Sequence, residues 1–218
     1  MKINYLTVYL LILASSLISL ACEKFNDNKI IGTWQLLDYS STEKIFDQNN
    51  SDSSVTEKIQ DNSYYSKKCI NYTTGDSLEG KGMLNEFKWD FKENGEWIRK
   101  FSITTSNKSY LFSSYSKVEE IYISKKESGK WDLNYDENKL TLEVNKITTM
   151  KEITSIGYDN TNEIYHDTAY FQGGENIEVY NIDQWEGNLI SISLFTKKDQ
   201  VNSGVYLENE IHYNLLKK

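Results

Sequence analysis

Phe87-Lys88-Trp89-Asp90-Phe91-Lys92-Glu93-Asn94-Gly95-Glu96-Trp97-Ile98-Arg99-Lys100-Phe101-Ser102-Ile103 is the stretch that decides how this chain folds. Phe87, Trp89 and Phe91 alternate with Lys88 and Asp90, and Trp97, Arg99, Phe101 and Ile103 alternate with Ile98, Lys100 and Ser102. Successive side chains of a strand point to opposite faces, so each run acquires one aromatic face; a helix would scatter the same residues around its circumference. Asn94-Gly95 between the runs is a hairpin signal, because both residue types tolerate positive φ. The segment reads as two antiparallel strands sharing an apolar face.

The same period of two recurs outward in both directions. Trp131, Leu133 and Tyr135 lead through Asp136-Glu137-Asn138 to Leu140, Leu142 and Val144. Residues 177–180 and Ile182 lead through Glu186-Gly187-Asn188 to residues 189–195, and Val205, Leu207, Ile211, Tyr213 and Leu215 close the series. With residues 33–39, 110–115, 118–124 and 146–156 this makes about nine or ten short strands linked by tight turns. The composition agrees, since 16 Tyr, 8 Phe and 5 Trp favour strands. There is no proline, which leaves the turns to Gly, Asn, Asp and Ser. A long meander of one-sided strands removes its edges by closing on itself. The expected class is therefore all-β: an antiparallel up-and-down β-barrel of about eight to ten strands. Residues 41–68, rich in Ser, Asp, Asn and Lys, read as a long loop after the first strand, of the kind that covers a barrel mouth. Residues 157–175 read as a second irregular stretch.

The N-terminus has a different character. Lys2 precedes an apolar run, residues 5–20, that stops at Ala21-Cys22. The run is short for a spanning helix, and a small residue directly before a cysteine is what a lipoprotein signal peptidase requires. Ile18-Ser19-Leu20-Ala21-Cys22 carries Ser19 where Leu, Val or Ile is usual. The organisation expected is a signal peptide over 1–21, a lipid-anchored spacer over 22–29 and one barrel domain over 30–218. Cys22 is the lipidation site, and the lipid is the route to a membrane. The address expected is the envelope of a Gram-negative bacterium, at the outer membrane, with the protein a monomer.

A formal net charge of −8 argues against nucleic acid as a partner, because phosphate binding needs clustered cations. Arg99 is the only arginine. Its parity with Trp97, Phe101 and Ile103 puts it on the interior face, where a cation must be paired. A carboxylate-bearing lipid or another small acid would satisfy it; so would an aromatic ring or an acidic side chain near a barrel end. Cys69 remains once Cys22 is acylated, and with no base visible beside it reads as a buried thiol. His166 and His212 stand in no metal-spacing motif, and Asp159-Asn160-Thr161-Asn162-Glu163 lacks the glycine and distal glutamate of a calcium loop. No Gly-x-Ser-x-Gly, His-Glu-x-x-His or phosphate-cradling glycine loop occurs. The expectation is no enzyme, no catalytic residues, no metal and no cofactor. Asp76-Ser77-Leu78 and Asp167-Thr168-Ala169 match a permissive bacterial O-glycosylation triplet.

Ile30-Ile31-Gly32-Thr33-Trp34-Gln35-Leu36 resembles the opening strand of lipocalin-like proteins, in which the indole of a Gly-x-Trp plugs the closed end of a calycin-type barrel. Residues 87–97 resemble the aromatic hairpin of bacterial lipocalin-like lipoproteins, and Ser128-Gly129-Lys130-Trp131-Asp132-Leu133 with Asn138-Lys139-Leu140-Thr141-Leu142 resemble their central strands. The resemblance implies Gly32 and Trp34 as the plug and a small apolar or amphipathic ligand in the interior, where Arg99, Trp97 and Phe101 share a face. In the family an arginine of the last strand packs over the plugging tryptophan; here the C-terminal run offers His212 or Lys217. The alternative function is a non-catalytic structural lipoprotein whose packed barrel docks an envelope partner. Interior side-chain bulk separates the two readings.

Overall fold

The computed structural model describes residues 29–47, 53–71, 76–112, 115–156, 161–174, 176–200 and 205–218. Cys22 and the signal segment lie outside the described residues. The chain divides into two units, Met1–Ile30 and Ile31–Lys218, and the second is the barrel.

In chain order the strands are β1 (Gly32–Asp47), β2 (Ser53–Gln60), β3 (Ser63–Asn71), β4 (Asp76–Phe91), β5 (Glu96–Phe112), β6 (Tyr115–Asn134), β7 (Lys139–Ile156), β8 (Thr161–Tyr170), β9 (Ile177–Glu186), β10 (Leu189–Gln200) and β11 (Val205–Lys217). The class is all-β, and 10 strands close an antiparallel barrel consistent with a calycin-like fold. β11 returns to pair with β1, which closes the sheet. Strand β7 pairs with β6 along one edge and serves two neighbours along the other: residues 139–143 pair with β9, and residues 146–155 pair with β8.

The barrel changes circumference along its axis. At one end Gly32, Thr33 and Trp34 of β1 pair directly with Phe91, Asp90 and Trp89 of β4. Higher up, β1 pairs with β2 from Asp38 to Ile45, so the β2–β3 hairpin wedges between β1 and β4. Each parting strand carries a bulge where the wedge begins, with the register slipping between Leu36 and Asp38 in β1 and between Leu84 and Glu86 in β4. A bulge adds one residue and bends its strand, which is how a sheet fans apart without losing its ladder. Barrel width grows with strand number, so the end without the wedge is the narrower.

The described residues of this stretch, 41–47 and 53–68, are thus wall, not a loop over the mouth. β1 runs on to Asp47, and β2 turns into β3 at Asp61-Asn62, whose φ angles of 50° and 62° are those of a two-residue hairpin turn. The segment looks unstructured by pattern because β2 alternates Val55, Glu57 and Ile59 with Ser, Thr and Lys, which leaves little apolar contrast. Ladders on both flanks hold it instead. Residues 110–112 and 118–124 are not separate strands either: the first end β5 and the second belong to the near part of β6, and the two strands pair there with a register shift between Tyr110 and Phe112. Within residues 157–175 lies β8, exposed along nearly its whole length.

The narrow end is filled. Trp34, Trp89, Trp97, Leu142, Ile190 and Leu215 are buried there, drawn from strands all around the barrel. Trp89 is the hub: its ring lies 5.4 Å from Phe91, 5.8 Å from Tyr180 and 5.6 Å from Tyr213. Ring pairs in this range, stacked as with Phe91 or edge-on as with Tyr180 and Tyr213, add to the burial of the large side chains themselves. Gly129 of β6 is required by the close approach of β7, since a Cβ there would lie 1.7 Å from the Glu143 carbonyl oxygen.

Candidate functional site

The plug is built from the first and last strands. Trp34 has no exposed surface and meets Trp185 edge-on at 6.1 Å. Trp34 pairs with Lys217 across β1 and β11, and the Lys217 ammonium stands 5.8 Å from the centre of the Trp34 ring. Lys217 therefore holds the place over the indole for which the sequence offered two candidates, while His212 is exposed and meets Glu210 at 3.0 Å. Gly32 makes room for this arrangement. Its φ of 128° disfavours a side chain, and a Cβ would come within 2.9 Å of Lys217 Cε.

Above the plug lies an ionic layer centred on Arg99, which is 7% exposed. Arg99 and Glu127 are direct cross-strand partners on β5 and β6, and Arg99 Nε donates to Glu127 Oε2 at 2.5 Å. From β9, Glu178 accepts from Nη2 at 3.2 and 3.3 Å, and the Tyr180 hydroxyl accepts from Nη1 at 3.1 Å. The guanidinium also sits 5.0 Å from the Trp89 ring centre and 5.6 Å from that of Trp97. Lys125 takes the other oxygen of Glu127 at 2.7 Å. Burial by itself would push the Glu127 carboxyl up, but the charge and hydrogen bond of Arg99, aided by Lys125, hold it down at about 2. Both readings of Arg99 drawn from its parity included an interior position, and the partners found are acidic side chains and aromatic rings together.

Where the wedge widens the barrel, packing gives way to a cavity of about 230 Å³. Its apolar wall is Leu36, Ile59, Phe87, Phe101, Ile103 and Ile123. Tyr39, Glu57, Tyr64 and Tyr213 supply polar groups, with Arg99, Lys125 and Glu127 of the ionic layer at one side. Burial pushes the Tyr213 hydroxyl up to about 12 and raises those of Tyr39 and Tyr64 as well, so all three remain neutral donors. Tyr64 donates to Glu57 Oε1 at 2.5 Å; Tyr39 and Ser41 reach Glu57 Oε2 only at 3.4 Å. A second hollow of about 430 Å³ lies at the fork of β1 and β4, between Thr33, Gln35, Asn62, Glu86 and Lys218. The interior cavity is the candidate site, because it joins an apolar wall to a few convergent polar groups.

Comparison with known proteins adds no further constraint. No family model, curated protein or solved structure matches the chain.

Of the side chains expected to meet a ligand, Arg99 and Phe101 line the cavity. Trp97 does not line it: it is fully buried below, with its indole N–H donating to the Glu143 carbonyl at 3.3 Å. Glu57, Tyr39, Tyr64 and Glu127 escaped the sequence reading. The β2 strand that carries Glu57 shows little apolar contrast, so no period pointed to it. Cys69 is a free thiol on β3, half-buried rather than enclosed. No group of three or more His, Cys, Asp or Glu suited to a metal ion occurs among the described residues. Thr168 lies on the exposed β8 and Ser77 in β4.

Proposed function

We propose that this chain is a bacterial lipocalin-like lipoprotein, anchored through Cys22 in the outer membrane of a Gram-negative envelope, whose barrel binds a small apolar or amphipathic ligand without catalysis. The observation that carries the reading is the cavity where the β2–β3 wedge widens the barrel. A barrel packed throughout would favour a purely structural protein, but here the buried tryptophans Trp34, Trp89 and Trp97 fill the narrow end and the wider level keeps a cavity. The volume exceeds the roughly 150 Å³ that holds a benzene and falls short of the roughly 300 Å³ at which drug-sized pockets begin. The ligand is therefore small. One feature favours docking of an envelope partner as a second reading: β8 is exposed along nearly its whole length and, among the described residues, pairs in the sheet only with β7.

Phenylethanol, neutral and amphipathic, is a fitting probe. Ligand-observed NMR on the purified chain is expected to show saturable binding, and Phe101→Trp, which fills the cavity, is expected to abolish it. Binding unaffected by Phe101→Trp would place the ligand elsewhere and remove the support for this site.

The anchor has its own test. Cys22→Ala is expected to shift the protein from the membrane pellet to the soluble fraction, because the thiol that carries the lipid is gone. Retention of the variant in the pellet after a high-salt wash would sink the lipid-anchor proposal.

A further inference from the structure

We propose that the barrel cavity selects a small organic cation, an amine on a short apolar or aromatic body, with Glu57 as its counter-ion. The proposal rests on the binding reading above and specifies its ligand.

The argument is one of charge balance inside the cavity. Its lining carries Glu57, Arg99, Lys125 and Glu127. Arg99 and Lys125 are both committed: Arg99 bridges Glu127 and Glu178, and Lys125 holds the second oxygen of Glu127. Two cations and two carboxylates form a neutral set. An incoming anion would find the Arg99 nitrogens already facing Glu127, Glu178 and the Tyr180 oxygen, and would have to displace a carboxylate to reach them. That exchange offers little net gain.

Glu57 is different. Among the described residues no lysine, arginine or histidine nitrogen lies within 4.0 Å of its carboxylate. Three hydroxyls surround it, and they bring hydrogen bonds without charge. Only the Tyr64 bond is short; Oε2 has two contacts at 3.4 Å and keeps acceptor capacity for a stronger donor. The cavity thus has one unbalanced charge, and it is negative.

The rest of the wall suits a cation too. Tyr39, Tyr64, Phe87, Phe101 and Tyr213 line the same space, and the faces of aromatic rings attract positive charge while covering an apolar body. An ammonium placed at Glu57 Oε2 would make a charge-assisted hydrogen bond in a partly desolvated setting, where such bonds are strongest. The net charge of −8 favours the approach of cations over anions to the molecule as a whole.

The test compares three probes that share a phenyl body and differ in charge: phenylethylamine, phenylethanol and phenylpropionate, titrated into the purified chain by calorimetry at neutral pH. The amine is expected to bind about tenfold tighter than the alcohol or better, and the carboxylate more weakly than either. Glu57→Gln, checked for folding by circular dichroism, is expected to bring the amine down to the affinity of the alcohol. An amine that binds no tighter than the alcohol, a carboxylate that binds as tightly as the amine, or a folded Glu57→Gln variant with unchanged amine affinity would overturn the proposal and leave the cavity reading standing. Failure of all three probes would overturn both. Should Glu57→Gln fail to fold, the charge series on the unaltered chain decides the matter alone.

Discussion

Replacing Arg99 by Gln is expected to lower stability by about 3–5 kcal/mol, the usual cost of removing one partner from a buried ion pair. Glu127 and Glu178 would be left facing each other across the space that the guanidinium fills, with Lys125 able to reach only Glu127. The stacking of the guanidinium on Trp89 and Trp97 goes as well. Most of the loss therefore measures stranded carboxylates rather than the net worth of the pair, and Arg99→Lys should recover only part of it because an ammonium cannot span Glu127, Glu178 and Tyr180 at once. The same network sets the acid limb of stability. The Glu127 pKa is lower in the folded chain than its ordinary 4.5, so its contribution is complete above that value and is lost as pH falls from about 4.5 toward about 2. Urea denaturation at neutral pH and along an acid series should show both effects, with a flatter acid slope in Arg99→Gln. A neutral-pH midpoint within experimental error of the unaltered chain would contradict this account of Arg99.

Truncating Trp34 to Ala is expected to cost about 3–5 kcal/mol. The indole is wholly buried, leans edge-on against Trp185 and is covered by Lys217. Its removal leaves a hole at the one level of the barrel where β1 pairs directly with β4, and that pairing involves only Gly32, Thr33 and Trp34. Neighbouring strands cannot collapse into the gap without breaking the short ladder that closes the narrow end, so the cavity cost adds to the lost transfer energy. The thermal melt should fall steeply. A near-unchanged melting curve would remove the plug from the account of the fold.

Much of this was legible in the chain. The Phe87–Trp89–Phe91 alternation and the Asn94-Gly95 turn mark strands and hairpin because each is a local signal: a period, a φ preference. The interior position of Arg99 followed from parity alone. The wedge was not legible. Its inward residues include Glu57 as well as Val55 and Ile59, and a strand with a carboxylate on its core face has no apolar period to display. The bulges at Leu36/Asp38 and Leu84/Glu86 were equally hidden, since one extra residue shifts the inward set from Trp34 and Leu36 to Tyr39 and Ser41 without any change in composition.

By itself the sequence determined an all-β chain of alternating strands, an aromatic core and a lone interior arginine, because these depend on spacing between neighbours in the chain. Which strands part to admit the β2–β3 hairpin, and therefore where the barrel is too wide for its side chains to fill, was decided only by tertiary pairing. So was the charge of the cavity. Arg99 is neutralised by Glu127 through cross-strand register and by Glu178 from a strand far away in sequence, while among the described residues the hydrogen-bond partners of the Glu57 carboxylate are hydroxyls. Charge balance is set by distances of a few ångströms in space, and those distances arise from register and closure rather than from order along the chain.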